Sequence, residues 1–460
     1  LWESVHTVDA KICRSEYFQA SSASSIAQET PSPRKFDRFT GTLPMTRSSR
    51  LLSLAYLGAI LYGPWIAAMT EANEPERDRG LEARVSASVE QFLATHQIPG
   101  AAIAITRDGQ MLASGGFGVA DTDHGTPVTA ASLFRIASVS KPITAVAILQ
   151  LVEQNQLKLT DPVFEVLPFD PFLEHGQLPD ERQKAITIEH LLEHRGGWDR
   201  DASFDAMFQS VAFAELVGSK PPAGTSDIIR VMSGKPLDFA PGERYAYSNY
   251  GYCLLGRVIE QVTGKSYEQA VKDQVLTPLG IRDMHLGRTR LEDRRANEVR
   301  YYHPGAGSSV FSEDLHAAVP HPYGAWHLEA MDAHGGWLAS ATDLARFAAS
   351  LDHPDQCPVL SAKSVARMFA RPVSLAGQDE DGASKRQYYA LGWSVTVEGD
   401  QWVSTSHTGS LPGTSTRIER RADGTNVVVL LNSRHTEHKS SGGHSLADML
   451  TARLYEQLQP

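Results

Sequence analysis

Cysteine is scarce in this 460-residue chain: Cys13, Cys253 and Cys357 are its three thiols, and no C-x-x-C pair occurs. That excludes zinc-ribbon and thioredoxin-type signatures. It leaves a Cys253–Cys357 disulfide, should the protein be exported, and two buried free thiols as the alternatives. Positive charge is also in short supply. Lys and Arg number 43 against 54 Asp and Glu, a net charge of -11. Nucleic-acid binding needs clustered positive charge to displace counterions from phosphates, and no basic stripe is present, so no nucleic-acid partner is expected. Internal repeats are missing. Outside residues 51–69, no apolar run approaches the ~20 residues that span a bilayer. The composition is otherwise unbiased, 42% hydrophobic and 21% charged, which excludes collagen-like and wholly disordered chains. Its length implies two or three domains of roughly 100–200 residues each, or one large one.

The front of the chain has its own character. Residues 1–44 show no sustained period and read as a non-native or disordered leader. From Met45 the pattern changes: Arg47 and Arg50 precede an uncharged, mostly apolar run over 51–69, and small residues follow at Ala67, Ala68 and Ala72. This is the grammar of a secretory signal peptide. It fits a start at Met45, cleavage after Ala68 or Ala72, and a periplasmic or secreted protein. A membrane anchor through 51–69 is the rival reading, disfavoured by Pro64.

Beyond it, residues 78–460 are expected to form the functional domain. Leu81, Val85, Val89 and Leu93 recur on one helical face over 80–96. Residues 101–106 and 110–116 flank an Asp108-Gly109 turn as a hairpin. The far end repeats the scheme, with strands over 402–408, 414–419 and 426–432 and a closing helix over about 444–458. Between these ends lies a mainly helical insertion, about 155–335. Ile143 to Val152 is apolar all round, the mark of a helix buried on every side. A stripe from Leu254 to Val262 is ended by Gly264, and another runs through Leu344, Phe347 and Leu351. Residues 295–335, rich in His, Gly and Pro, read as long loops over a cleft. The expected fold is α+β: one antiparallel sheet built from both chain ends, flanked by helices, with the helical region inserted.

Three short motifs carry chemistry. The first is Ser138-Val139-Ser140-Lys141, directly before the buried helix. Residues three apart on a helix share a face, so the Lys141 amine can reach the Ser138 hydroxyl. A serine needs a base to take its proton. A lysine serves once burial or nearby positive charge lowers its pKa from about 10.4. Pro142 suits a first turn, where free N–H groups and the helix dipole can stabilise an oxyanion. The spacing alone is weak evidence, since Ser32 and Lys35 share it. The second motif, Tyr247-Ser248-Asn249, brings a phenol that can shuttle protons if its pKa is lowered, and an amide able to bind a carbonyl and a lysine. As plain structure it is a buried Tyr with an Asn helix cap, the helix starting near Tyr252. The third, His407-Thr408-Gly409-Ser410, ends a strand. Gly409 permits close backbone approach to a ligand, and the Ser410 N–H is a second oxyanion donor.

In order and spacing the three together resemble the serine β-lactamase and penicillin-binding protein clan, with its S-x-x-K, Y-x-N and [KH]-T-G motifs. Residues 186–198, 239–249, 335–343 and 391–393 are similar to further segments of the clan, so the resemblance covers about 80–455. It is closest to class C β-lactamases, family VIII carboxylesterases and D-peptidases. The resemblance implies that Ser138 is the acylated nucleophile and that Lys141 assists its deprotonation. Tyr247 would protonate the leaving group and activate water, and Asn249 would orient substrate and Lys141. Thr408 and Gly409 would line the cleft, and the N–H groups of Ser138 and Ser410 would form the oxyanion hole. No metal or other cofactor is implied. His407 departs from class C β-lactamases, where Lys binds the β-lactam carboxylate. A neutral His is a weaker anion partner, which lowers β-lactamase and raises ester or D-amide hydrolysis. The expected partner is a small ester or amide.

Two signals are set aside. His190-Leu191-Leu192-Glu193-His194 matches an inverted zincin pattern, yet no third ligand is evident and a surface helix accounts for it. Gly443 to Ala447 nearly forms a nucleophile elbow, but no His follows Ser445, as that triad order requires. The functions carried forward are a carboxylesterase acting on short-chain esters with weak β-lactam hydrolysis; a D-amino-acid peptidase or class C-type β-lactamase; and, from another class, an idle penicillin-recognising scaffold.

Overall fold

The computed structural model describes residues 78–399, 401–434 and 445–459. The leader and signal-peptide expectations lie outside these residues. Helix α1, Arg79–His96, starts at Asp78, whose carboxylate accepts the N–H groups of Gly80 and Leu81. It leads into strands β1, Gly100–Arg107, and β2, Gln110–Asp121, and a two-residue strand β3, Thr126–Pro127. Helices α2 (Ser140–Glu153), α3 (Ile188–Leu192), α4 (Asn249–Thr263) and α5 (Ala341–Ala349) follow. Five strands and a helix complete the chain: β4 (Gln387–Tyr389), β5 (Ser394–Glu398), β6 (Gln401–Leu411), β7 (Thr414–Arg421), β8 (Thr425–Leu431) and α6 (Leu446–Gln457).

The eight strands make one sheet in the order β3-β2-β1-β8-β7-β6-β5-β4. The last long strand pairs antiparallel with the first, Ile103 opposite Val429, so both chain ends build the sheet as expected. Successive side chains of a strand point to opposite faces. Ala101, Ile103 and Ile105, with Val427, Val429 and Leu431, therefore pack beneath α1 and α6. Ala102 and Ala104, with Val428 and Leu430, join the larger core on the other face. Both faces are covered, which is why β1 and β8 read as unbroken apolar runs.

The larger core surrounds α2, whose residues from Ser140 to Leu151 are all buried. Among the described residues no helix is long and apolar enough to cross a membrane. Cys253 and Cys357 are free thiols, Cys253 buried and Cys357 only partly so.

Three local expectations are corrected. The 188–195 segment is no surface helix: Leu191, Leu192, Glu193, His194 and Arg195 are buried. The Glu193–Arg195 ion pair at 2.5 Å makes that burial tolerable. Helix α4 begins at Asn249 rather than near Tyr252, and its cap is Ser248, whose hydroxyl accepts the Gly251 N–H. Of residues 295–335, Met331, His334 and Gly335 line the cleft, while much of the stretch wraps Arg135. That buried guanidinium donates to the carbonyls of Pro322 and Arg288 at 2.7 and 2.8 Å. It also lies 4.4, 5.2 and 5.4 Å from the rings of Tyr301, Tyr323 and Trp326. A buried cation needs this many partners, and the loops supply them.

Candidate active site

Ser138 sits in the short turn Ala137–Val139 that feeds α2. It opens on a cleft of about 1570 Å³ lined also by Tyr247, Asn249, His407, Thr408 and Ser410. The helical spacing works as the sequence implies, since Lys141 Nζ lies 3.1 Å from Ser138 Oγ. Two further acceptors hold the amine, Asn249 Oδ1 at 2.8 Å and the His334 carbonyl at 2.9 Å. Lys141 is fully buried. Burial, aided by the Arg200 charge and opposed by Asp205, holds its pKa well below the usual lysine value. A neutral amine has two N–H donors and one lone pair. The amide and carbonyl oxygens take the donors, which leaves the lone pair for the Ser138 hydroxyl.

Tyr247 Oη is 2.8 Å from Ser138 Oγ on its other side. The phenol differs from expectation. Burial pushes its pKa up, not down, so at rest it is a proton donor toward Ser138 and the amine is the base. Because Ser248 caps the helix, Asn249 is free for the site. Its amide nitrogen donates to Asp205 Oδ2 at 2.6 Å, which turns its oxygen toward Lys141.

Strand β6 forms the opposite wall. Along it Thr405, His407, Gly409 and Leu411 are buried while Thr408 and Ser410 are exposed. A Cβ on Gly409 would lie 2.2 Å from the Ile136 carbonyl and 2.2 Å from Thr416 Oγ1. Glycine alone lets β6 approach the turn bearing Ser138 so closely, and Thr416 Oγ1 reaches past it to Ile136 O at 2.8 Å. His407 is buried and turned into the protein. Its Nδ1 is 2.7 Å from the Thr408 carbonyl and its Nε2 is 2.8 Å from Tyr389 Oη. The carbonyl accepts, so Nδ1 carries the proton and Nε2 accepts from the phenol. Burial holds its pKa down to about 3. Both nitrogens are thus engaged within the protein, and the ring is neutral.

The motif analysis missed several neighbours. Arg200 stacks over the Tyr247 ring at 4.4 Å, between Asp201 at 3.7 Å and Asp205 at 3.8 Å. His194 lies against the same ring, and Tyr389 joins it to His407. The sequence around His194 reads as part of the 186–198 resemblance and as a metal pattern set aside, and neither reading places its ring against Tyr247. Among the described residues no cluster of three His, Cys, Asp or Glu could hold a metal ion.

Residues 85–448 match the Beta-lactamase family. Esterase EstB of Burkholderia gladioli is 33% identical over 250 residues, 53% of this chain and 61% of that one, so the match spans about three-fifths of the esterase. Penicillin-binding protein 4 of Amycolatopsis lactamdurans is 30% identical over 344 residues, 73% of this chain and 81% of that one. The solved octameric penicillin-binding protein homologue from Pyrococcus abyssi superposes with a TM-score of 0.60 at 25% identity, covering 81% of this chain and 77% of its own. The resemblance read from the motifs thus extends well beyond them, and this chain belongs to the Beta-lactamase family.

Proposed function

We propose that the enzyme is a carboxylesterase that cleaves short-chain esters through an acyl-enzyme on Ser138, with weak activity on β-lactams. The observation that carries the reading is the arrangement about one oxygen: a buried amine at 3.1 Å and a protonated phenol at 2.8 Å from Ser138 Oγ. Ser138 Oγ attacks the carbonyl carbon as its proton passes to Lys141. The N–H groups of Ser138 and Ser410 hold the oxyanion. The C–O bond breaks, and Tyr247 gives its proton to the departing alkoxide. The proton on Lys141 restores the phenol. Water then attacks the acyl-enzyme as Tyr247 takes its proton while giving up its own to the free amine of Lys141, and the return of that proton to Ser138 Oγ as the acyl–oxygen bond breaks frees the acid and Ser138. Asn249 and Thr408 orient the substrate within the cleft.

Two features favour esters over carboxylate-bearing β-lactams. His407 is neutral with both nitrogens engaged, so it offers no cation to a carboxylate. Arg200, the cation beside Tyr247, sits between two aspartates. The similarity to a penicillin-binding protein supports the second reading, a D-amino-acid peptidase or class C-type β-lactamase. The pattern of residues 45–72 supports a periplasmic or secreted enzyme. A panel of p-nitrophenyl esters, nitrocefin and a D-Ala-D-Ala peptide tests the choice. Ester turnover far above the other two is expected. Preferential turnover of the peptide or nitrocefin would replace the esterase reading, and no turnover of any would leave the scaffold.

A further inference from the structure

The chemistry above leaves the second histidine of the 190–194 motif without a task. His194 follows α3 with a left-handed backbone, φ 55°, which residues other than glycine seldom adopt. From that position its carbonyl oxygen accepts the Ala246 N–H at 2.9 Å. Its ring Nδ1 accepts the Ser248 N–H at 3.1 Å. The two peptides so held are the immediate neighbours of Tyr247 on either side. The ring also packs against that of Tyr247, tilted by 37° with centroids 4.2 Å apart. Tyr389 and Tyr252 back it at 4.5 and 5.1 Å. Since Nδ1 accepts, the proton of the neutral ring is on Nε2, and Nε2 has no hydrogen-bond partner among the described residues. An unsatisfied buried N–H is a cost. What the residue contributes in return is the Nδ1 bond and the ring contact with Tyr247.

We propose that His194 is the positioning residue for Tyr247, gripping the chain on both sides of it and bracing its ring, so that the phenolic oxygen stays at 2.8 Å from Ser138 Oγ. The role rests on reading Tyr247 as the acid that protonates the leaving group. A general loss of structure slows every substrate alike, whereas a displaced phenol slows those whose leaving group needs a proton. The test is therefore kcat/KM, which reports acylation, on a p-nitrophenyl ester and the ethyl ester of the same acid. Nitrophenolate departs unaided and ethoxide does not.

His194→Phe keeps a ring and loses the acceptor. It is expected to lower kcat/KM about 100-fold on the ethyl ester, the scale of an ångström-sized misplacement, and about tenfold or less on the nitrophenyl ester. His194→Asn places an amide oxygen near the Nδ1 position and tolerates the left-handed backbone, and it should recover about tenfold of the ethyl-ester loss. Equal losses on both esters, or an Asn variant no better than Phe, would overturn the role. Should His194→Phe not fold, His194→Gln, whose amide reaches the Nε2 position instead, takes its place with the same expected and overturning outcomes. If the wild-type enzyme turns over neither ester, the ester reading fails separately, and a D-alanyl thiophenyl ester, whose thiolate departs unaided, set against a D-alanyl alkylamide carries the comparison.

Discussion

The two faces of the central sheet are built on opposite plans. Under α1 and α6 the core is Leu, Val, Ile, Ala and Phe, with Tyr455 at its margin. Across the sheet the core buries Lys141, His194, His334, His407, Arg135 and Arg420 among its apolar side chains. Burying such groups costs free energy unless each is paired or kept neutral. The first face thus serves stability, while the second gives up some stability to hold reactive groups in a fixed, water-poor arrangement.

Substitutions on the two sides should therefore fail differently, and the largest effects belong to the reactive side. Ser138→Ala should abolish turnover and Lys141→Ala or Tyr247→Phe should each cost at least ~10⁴-fold in kcat, while Ser138→Ala leaves the melting temperature in place. Steady-state kinetics beside calorimetry reads both, and a Ser138→Ala enzyme that still turned over would break the division outright. On the other face, Leu450→Ala, fully buried in α6, should lose about 2–5 kcal/mol of stability with kcat of the folded enzyme unaltered. Denaturant titration decides, and an equal fall in kcat would show the faces to be coupled.

Gly409→Ala sharpens the contrast. Its Cβ must push β6 away from residue 136, so roughly a 100-fold loss of kcat is expected, or about 2.7 kcal/mol in the barrier, from one methyl group. Asp205→Asn should cost about tenfold in kcat/KM through the weakened hold on Asn249. Activity needs the neutral amine and so is lost as pH falls through the Lys141 pKa. Asp205 raises that pKa, and its removal should move the acid limb to lower pH; a limb moved upward would contradict the assignment.

The smallest effect concerns His407. Folding keeps it neutral with its pKa near 3, while the unfolded chain takes up its proton below about 6.5. The unfolded state then binds more protons, so wild-type stability falls as pH drops. Relative to His407→Phe, which lacks that proton, the wild type should lose roughly 1 kcal/mol between pH 7 and 5.5. A constant difference between the two proteins would show that the folded ring takes up its proton as readily as the unfolded one and would contradict the buried, neutral His407.

The apolar face was the more legible in the sequence, because regular periods write it. The Leu81–Leu93 spacing, the Asp108-Gly109 hairpin and the Val-rich last strand each follow from local geometry alone. At the site, Ser138 and Lys141 were readable because they lie one helical turn apart, and Tyr247 and Asn249 because they precede a helix. Asp205, Arg200 and His194 could not be read that way. They reach the cleft from a segment with little regular structure, and tertiary packing alone decides where such residues point. The Tyr247 phenol differs from expectation for the same reason: its pKa is set by burial against His194 and Tyr389, neither of them its near neighbour in sequence.

The pairing of β1 with β8 also dictates an order of events. The first long strand leaves the ribosome some 300 residues before the one it must lie beside, judging by Ala101 opposite Leu431. Such distant contacts form late. A nascent chain that already carries Ser138, Lys141 and Tyr247 but stops short of β6 therefore lacks the wall that Gly409 brings against Ile136, and the site is assembled only after β6, β7 and β8 have been made.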